Sequence, residues 1–233
     1  MTSRIAIVPA RGGSKRILNK NIVEFCGQPM IYWTIRSALD SGCFDRVLVS
    51  TDSTEIMRVA LDCGAEVPFL RLDHGDDFAP VSFATISALE QAQMYWGEVY
   101  DVVVQLMPNC PLRLVEDIIH ALDAFESSQS SFQISCTGFG WCNPWWAFSL
   151  NEDGISSPLF RGAMERRSQD MSDLFCPTGA IWIAKSEELL NSRTFYGEGC
   201  VYQPMNWISA VDIDTPDDLA VARCLGATVL NDS

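Results

Sequence analysis

A basic loop behind an apolar strand is the first segment of the chain that could carry chemistry. In "IVPARGGSKRILNKN", at positions 7–21, a glycine pair follows the strand and four cations occur with no acid among them: Arg11, Lys15, Arg16 and Lys20. Glycines let the backbone approach a ligand, so that its N–H groups can cradle phosphate oxygens. Arginine and lysine add charge-assisted hydrogen bonds to the same oxygens. The sequence therefore predicts a phosphate site formed by Ala10, Arg11, Gly12, Gly13 and Ser14, with Lys15 and Lys20 beside them.

Two carboxylates near the other end of the chain could complement this loop. Asp212 and Asp214 in "DIDT" are two residues apart on a predicted strand, which points both side chains to one face while Ile213 turns into the core. Paired carboxylates at a strand end suit Mg²⁺, a hard cation that keeps several waters and bridges to substrate phosphates. The next two acids, Asp217 and Asp218, fit the first turn of a helix, where they favour the helix dipole.

The opening loop does not follow the two commonest phosphate-binding patterns. A Walker A loop requires GxxxxGK followed by serine or threonine, and a dinucleotide fingerprint requires GxGxxG; neither is present. The alternative for this stretch is a tight turn with a solvated basic face. A binding loop is favoured because the chain has only three lysines and two of them lie here.

The composition indicates a protein that binds a small anion rather than a large anionic surface. The 233 residues carry a formal net charge of -14, which argues against nucleic acid or an anionic membrane as a partner. No apolar run approaches the roughly 20 residues of a membrane span, and the apolar N-terminal stretch is too short for a signal peptide. Nine cysteines without CxxC spacing and only two histidines, His74 and His120, favour reduced thiols over a zinc site. We therefore expect a soluble, cytoplasmic protein.

Alternating strand and helix patterns predict the scaffold that positions these residues. Short apolar runs rich in β-branched residues indicate strands buried on both faces of a parallel sheet, and runs with capping and glycine stop signals indicate the helices between them. The predicted strands are Arg4–Ala10, Asp45–Thr51, Asp101–Pro108 and Thr178–Lys185, and the predicted helices are Pro29–Gly42, Ser53–Ala65, Pro80–Gly97 and Leu114–Ser128, with a further strand and helix within Trp207–Gly226. This order favours a doubly wound, mostly parallel α/β sheet, in which ligands sit beyond the carboxyl ends of the strands.

The alternation breaks between about residues 131 and 198. The stretch "GFGWCNPWWAF" contains three of the seven tryptophans, and "LFRGAMERRSQDMSDLFCP" is polar and weakly periodic. We predict an insertion set on the same sheet that carries sugar and dimer contacts. Because the chain has no repeats, low-complexity tracts or clear linker, residues 1–233 are predicted to form one domain.

Several ordered motifs resemble those of the acylneuraminate cytidylyltransferases, also called CMP-sialic acid synthetases. "PARGGSKRILNKN" resembles the N-terminal motif of that family, and "GQPMIYWTI" and "VSTDSTEIMRVALDCGAEVPFLR" resemble the segments that follow it. "PNCPLR" is similar to the family's PTSPLR, and "RSQDM", "FCPTGAIWI" and "AVDIDTPDDL" match later landmarks in order. The resemblance covers essentially the whole chain. It implies a nucleotide-diphospho-sugar transferase fold and an enzyme that couples CTP to a nine-carbon acidic sugar (a nonulosonate), with release of pyrophosphate.

The resemblance also implies which residues would bind each substrate. Asn21 and Arg71 match nucleotide contacts of the family, and Ser82 lies near a family serine at the base pocket. The acid pair Asp212 and Asp214 corresponds to the family's metal site. Catalysis would then rest on this pair together with Arg11, Lys15 and Lys20. No general base is evident, since neither histidine lies in a usable motif.

For the sugar, the resemblance implies contacts that are less well matched. Arg167 corresponds to an arginine near the sugar carboxylate. Phe195 and Tyr196 match an aromatic pair that reaches into the partner's active site, which implies a homodimer; core or surface aromatics are the alternative for this pair. Where relatives that activate sialic acid have polar or charged residues, this chain has Met107 and Trp146.

Two further departures lie in "FCPTG", where Cys176 replaces an arginine and Thr178 an asparagine. Together they predict a modified or deoxygenated sugar of the legionaminic or pseudaminic kind instead of N-acetylneuraminate. Two alternatives stay open: a nucleotidyltransferase for Kdo or another sugar, and a nucleotide-binding homologue without turnover. The second is disfavoured, because a pure binder has less need of the carboxylate pair.

Overall fold

The computed structural model of the 233-residue chain describes residues 2–71, 81–140 and 142–230. His74, Trp141 and the predicted helix start at Pro80 lie outside these residues. Within them, the strands in chain order are β1 (Arg4–Pro9), β2 (Glu24–Phe25), β3 (Gln28–Pro29), β4 (Arg46–Ser50), β5 (Val102–Gln105), β6 (Phe132–Gly138), β7 (Phe148–Leu150), β8 (Ser156–Pro158), β9 (Phe175–Lys185) and β10 (Val201–Pro204).

Six of these described strands form the central sheet, in the order β10–β6–β9–β5–β1–β4. Strand β1 pairs in parallel with β4 and β5, and β10 pairs in parallel with β6, whereas β9 is antiparallel to both β5 and β6. The prediction of a mostly parallel α/β sheet is therefore confirmed. Because β1, β4 and β5 are neighbours and run in the same direction, their carboxyl ends meet at one edge of the sheet, where ligands of such folds bind.

The α-helices of the described residues cover the sheet on both faces. They are α1 (Met30–Asp40), α2 (Thr54–Asp62), α3 (Val81–Trp96), α4 (Val115–Ser127), α5 (Ser186–Ser192) and α6 (Pro216–Val229). Alternate residues of β1 serve the two layers: Ala6 and Val8 pack in the cluster with α1, α2 and α4, and Ile5 and Ile7 in the cluster with α3 and α5. This alternation follows from the two-residue period of a strand, and it buries β1 on both faces as predicted.

A reciprocal capping box fixes the start of α6. Thr215 Oγ1 accepts a hydrogen bond from the Asp218 backbone at 3.2 Å, and Asp218 Oδ2 accepts bonds from the backbone N–H groups of Thr215 at 2.7 Å and Asp214 at 3.0 Å. The prediction that Asp217 and Asp218 lie in the first turn of a helix is confirmed, with Thr215 as the cap. This cap also anchors the backbone of Asp214.

One sequence prediction about an element needs correction. The segment with Asp212 and Asp214 is not a strand: residues 211–214 have no regular secondary structure, and Ile213 donates a backbone hydrogen bond to the Asn109 carbonyl at 2.9 Å instead of joining the sheet ladder. Two strands within the predicted insertion, β6 and β9, belong to the central sheet. The part outside that sheet is residues 139–174, which include the small β7–β8 hairpin and are called the arm below.

Candidate functional site

The basic loop is anchored at the carboxyl ends of β1 and β4. Ala10 donates a backbone hydrogen bond to the Ser50 carbonyl at 2.9 Å, and Gly12 donates to Asp52 Oδ1 at 2.7 Å. The Asn21 amide donates to the Arg11 carbonyl at 2.9 Å and is itself buried. The first two contacts attach the loop to the residues at the end of β4, and the third joins the two ends of the loop.

The two glycines of the loop have different surroundings. Neither Gly12 nor Gly13 has a positive φ, so the backbone turn itself does not require glycine. A Cβ on Gly12 would lie 3.0 Å from Ser53 Cβ, whereas a Cβ on Gly13 would meet nothing within 4 Å among the described residues. Gly12 therefore permits close packing of the loop against the start of α2, whereas the position of a Cβ on Gly13 is open space.

Arg71 is buried beside this loop, with 5% of its surface exposed. Its backbone donates to the Thr51 carbonyl at 2.8 Å, and its Nε has no hydrogen-bond partner among the described residues. Desolvation lowers the pKa of its guanidinium, the nearby Asp52 carboxylate opposes this, and the Arg11 cation adds to it. A buried, incompletely paired cation next to a second cation is suited to an anionic or strongly polar ligand.

The acid pair, about 190 residues further along the chain, meets the basic loop in space. Lys20 Nζ lies 2.7 Å from Asp214 Oδ1 and donates to the Ile213 carbonyl at 2.9 Å. Arg16 lies 3.2 Å from the other oxygen of Asp214. The structure therefore brings together the two constellations that sequence reasoning singled out separately.

The two carboxylates have opposite electrostatic environments. The lysine hydrogen bond holds the pKa of Asp214 below its usual range, with Arg16 adding to the effect. Desolvation and then the Asp214 carboxylate raise the pKa of Asp212 to about 6, against Lys20 and a hydrogen bond from Asn109. Asp212 is exposed overall, although protein atoms surround its carboxyl group closely enough to desolvate it in part.

The surroundings of Asp212 fit a hydrated divalent cation. Asn109 donates from Nδ2 to Asp212 Oδ1, while the buried Asn109 Oδ1 has no hydrogen-bond partner among the described residues. A Cβ on Gly179 would come within 3.5 Å of Asp212 Oδ2, so the absence of a side chain there leaves space beside that oxygen. The described residues hold no cluster of three or more His, Cys, Asp or Glu side chains placed for a metal. Two carboxylates suit Mg²⁺, which keeps several of its waters.

Only some of the residues predicted to bind the sugar lie near the acid pair. Met107 is near it, since a Cβ on Gly179 would lie 3.2 Å from Met107 Cγ. Thr178 is buried, and its hydroxyl lies 2.7 Å from the Ser135 hydroxyl, so that it is already engaged inside the sheet. Arg167 and Trp146 lie on the arm, where Arg167 pairs with Asp170 of its own turn at 2.8 Å. No described contact connects these two arm residues to the acid pair or the basic loop.

The aromatic pair is divided between core and surface. Phe195 is fully buried and packs edge-on against Trp182, with ring centroids 5.5 Å apart. The prediction that Phe195 reaches into a partner's site is therefore wrong for this conformation, and its alternative, a core aromatic, describes it. Tyr196 is exposed and also packs edge-on against Trp182, with ring centroids 5.4 Å apart. Ser82, in the first turn of α3, is also buried.

Sequence reasoning missed three residues of the site. Asp52 holds the basic loop through Gly12, Asn109 holds Asp212, and Gly179 provides space beside it. Asp52 follows directly after a predicted strand, so its position at the ligand edge was a usable signal. The other two carry no local pattern, because their roles arise from contacts between segments distant in sequence.

The sequence of this α/β chain matches a known protein family. Residues 5–151 match the family described as "Cytidylyltransferase". The chain belongs to the cytidylyltransferase family. It is therefore an enzyme of the nucleotidyltransferase class, as the resemblance implied, and the basic loop and Arg71 lie within the matched segment.

Two curated cytidylyltransferases align along almost the whole chain. The pseudaminic acid cytidylyltransferase of Campylobacter jejuni is 35% identical over 228 residues, which is 95% of this chain and 95% of that protein. The CMP-N,N'-diacetyllegionaminic acid synthase of Legionella pneumophila is 34% identical over 233 residues, with the same 95% coverage of both proteins. These relatives extend the family likeness beyond residue 151, to the acid pair and α6.

A solved structure supports the fold independently of close sequence similarity. The CTP complex of CMP:2-keto-3-deoxy-manno-octonic acid synthetase superposes with a TM-score of 0.71 at 16% identity, over 97% of this chain and 99% of that one. The likeness confirms the nucleotide-diphospho-sugar transferase fold. None of the helices in the described ranges is both long and apolar enough to span a bilayer.

Proposed function

We propose that this cytidylyltransferase couples CTP to the anomeric hydroxyl of a nine-carbon α-keto acid sugar. The hydroxyl oxygen forms a bond to the α-phosphorus and loses its proton, the bond from that phosphorus to the bridging oxygen breaks, and pyrophosphate leaves with the electron pair. The observation that carries this proposal is the contact of the basic loop with the acid pair through Lys20 and Asp214. It supports a single site in which basic side chains bind a triphosphate and the neighbouring carboxylates bind a divalent cation.

The residues of the basic loop would bind and orient the triphosphate. Arg11, Lys15 and Lys20 supply positive charge for the phosphate oxygens. The backbone N–H groups of Gly12 and Ser14 are engaged within the protein, by Asp52 Oδ1 at 2.7 Å and the Gly12 carbonyl at 3.0 Å. Catalysis of phosphoryl transfer depends mainly on charge neutralisation and in-line positioning, which these groups provide. The buried Arg71, with Asn21 and Ser82, would hold the nucleoside. We propose CTP as the preferred nucleotide.

Mg²⁺ is the proposed cofactor, and Asp212 and Asp214 would hold it. When bound, this cation neutralises phosphate charge and polarises the attacking hydroxyl. Asp214 is oriented by Lys20 and by the capping box of α6, and Asp212 by Asn109. The second oxygen of Asp212 faces the space left by Gly179.

For the sugar, we propose a 9-deoxy nonulosonate of the pseudaminic or legionaminic kind. The two full-length relatives are named for such sugars, and the apolar Met107 side chain lies near Asp212 at the reaction centre. A substrate hydroxyl that loses its partner in a dry pocket costs about 1–3 kcal/mol. Two such losses, at the positions of Met107 and Cys176, would lower kcat/KM for N-acetylneuraminate by about 10². A methyl group on a deoxygenated sugar would instead gain apolar contact with Met107.

A homodimer is proposed from the arm. All residues of the β7–β8 hairpin are exposed, including Phe148 at 47% and Leu150 at 62%. Neighbouring Ile155 and Leu159 are exposed at 66% and 62%. Several exposed apolar side chains on one short segment favour burial against a second copy. The chain mass is 25.9 kDa, so light scattering is expected to give twice that value, and the monomer mass at working concentration would contradict the dimer.

The decisive assay measures pyrophosphate release and CMP-sugar formation with CTP, Mg²⁺ and a panel of sugars: pseudaminic, legionaminic and N-acetylneuraminic acids, and Kdo. We expect turnover with a 9-deoxy nonulosonate, and slower reaction when UTP, ATP or GTP replaces CTP. Asp214→Asn, a near-isosteric variant, is expected to lose at least 10²-fold in kcat while keeping its fold. Faster turnover of N-acetylneuraminate would overturn the sugar assignment alone, and turnover of Kdo only would overturn the nonulosonate proposal.

The cysteines, all free thiols, fit the proposed cytoplasmic location.

A further inference from the structure

Asn109 ties the loop after β5 to the segment between the two acids. Its carbonyl accepts the backbone hydrogen bond of Ile213 at 2.9 Å, and its amide nitrogen donates to Asp212 Oδ1 and lies 3.5 Å from the Ile213 carbonyl. Backbone and side chain of one residue therefore fix both the position of the segment and the rotation of the Asp212 carboxylate. With Oδ1 held in this way, Oδ2 is the oxygen that faces the space beside Gly179.

The oxygen of the same side-chain amide, Asn109 Oδ1, accepts no hydrogen bond from the described residues. Asn109 is 5% exposed, and its Oδ1 is buried without a hydrogen-bond partner among the described residues. Buried amide oxygens are normally paired, so an unpaired one beside a carboxylate indicates a missing donor. A hydrated divalent cation carries such donors, because Mg²⁺ and Mn²⁺ keep several bound waters when carboxylates hold them.

We propose that Asn109 is a positioning residue of the cation site, which holds Asp212 through Nδ2 and accepts a hydrogen bond from a cation-bound water at Oδ1. This inference rests on the proposed function, since the triphosphate chemistry is what requires a cation there. Carboxylates that bind metals are commonly oriented by hydrogen bonds from neighbouring groups, and loss of such a partner weakens metal binding about 10–100-fold. A residue that served only to brace the fold would instead affect stability and leave the cation affinity unchanged.

The test measures binding of Mn²⁺ to the full chain without nucleotide, from the electron paramagnetic resonance signal of free Mn²⁺. Asn109→Leu keeps a similar volume but removes both donor and acceptor, and we expect its Kd to rise at least tenfold. Asn109→Asp keeps the acceptor, adds a negative charge and loses the donor, and we expect a Kd equal to or lower than that of the wild type. Thr85→Val is the matched control, because it removes a buried hydrogen bond of 2.6 Å, to Gln105, away from the acid pair. It should leave the Kd within twofold.

The outcomes separate this inference from the proposed function. A folded Asn109→Leu chain that binds Mn²⁺ within twofold of the wild type would overturn the inference, while loss of both Mn²⁺ binding and turnover in Asp214→Asn would still support the function. If Asn109→Leu does not fold, Asn109→Ser is judged by the same criterion. Absence of Mn²⁺ binding to the wild type at millimolar concentration would also overturn the inference. Failure of the proposed function appears separately, as absence of CMP-sugar formation with every nonulosonate.

Discussion

Replacement of Asp212 by asparagine is expected to stabilise the metal-free chain above pH 6 while it abolishes activity. Desolvation and the Asp214 carboxylate raise the pKa of Asp212 from 3.8 to about 6. A carboxyl group whose pKa is raised by folding opposes folding wherever it is ionised in both states, which here means above about pH 6. That unfavourable contribution disappears below the unfolded-state value, where the group is protonated in both states. Asparagine is neutral at every pH and can still accept the hydrogen bond from Asn109.

The size of the effect follows from the shift and from the exposure of the group. A shift of about two pKa units corresponds to about 3 kcal/mol at most, since each unit is about 1.4 kcal/mol. Asp212 is exposed overall, and solvent screening reduces this to about 1 kcal/mol. For a chain of this length, 1 kcal/mol raises Tm by about 2–4 °C.

The assay compares thermal unfolding of wild type and Asp212→Asn in EDTA at about pH 7.5 and about pH 4. We expect a higher Tm for the variant at the upper pH and a difference near zero at the lower one. Millimolar Mg²⁺ is expected to reverse the order at pH 7.5, because only the wild type gains from binding. Asp217→Asn, which removes a carboxylate from the first turn of α6, is the control and should lower Tm slightly. A variant less stable than the wild type in EDTA at pH 7.5 would refute the reasoning.

Three further variants test the elements that hold the site. Asp52→Ala removes the acceptor for the Gly12 backbone at 2.7 Å and is expected to raise KM for CTP about tenfold with a smaller change in kcat; an unchanged KM in steady-state kinetics would show that the loop holds without it. Thr215→Ala removes the cap of α6 and is expected to lower the free energy of unfolding by about 1 kcal/mol in urea titrations, and a neutral result would contradict the capping role. Gly197→Ala would overlap the Phe132 ring and is expected to cost about 2 kcal/mol; a wild-type Tm would count against this packing.

The position of the basic loop could be predicted from sequence, for a physical reason. Strands such as β1 and β4 are continuous apolar runs, and in a parallel sheet the residues directly after them must lie at one edge. The glycine and lysine pattern after β1 therefore predicted a loop at the ligand edge, where the structure has it; that this loop binds phosphate stays a prediction. Arg71 was inferred from the family resemblance alone, because a single arginine in a loop gives no local signal of burial.

The acid pair shows why other parts could not be predicted in the same way. The alternating pattern "VDID" suits a half-buried strand, yet tertiary contacts decide its conformation, since Asn109 takes the hydrogen bond of Ile213 that a neighbouring strand would have taken. Both conformations bury Ile213 and expose the acids, so the shared face was predicted for the wrong element. Likewise, "FY" gives no sign that Phe195 is buried and Tyr196 exposed, because that choice depends on the position of Trp182.

Under the proposed function, the ion pairs of the site link cation binding to triphosphate binding. In the metal-free chain, Lys20 and Arg16 neutralise Asp214 at 2.7 and 3.2 Å. A divalent cation held by Asp214 would compete with this partnership, and the lysine and the arginine would then be available to phosphate oxygens. Triphosphate that approaches the same cations in turn leaves the carboxylates available to a metal. By thermodynamic reciprocity, each ligand must strengthen binding of the other by the same factor. The acids and the basic loop, which the sequence separates by nearly the whole chain, therefore behave as one electrostatic unit in which the metal and the nucleotide are exchanged for internal ion pairs.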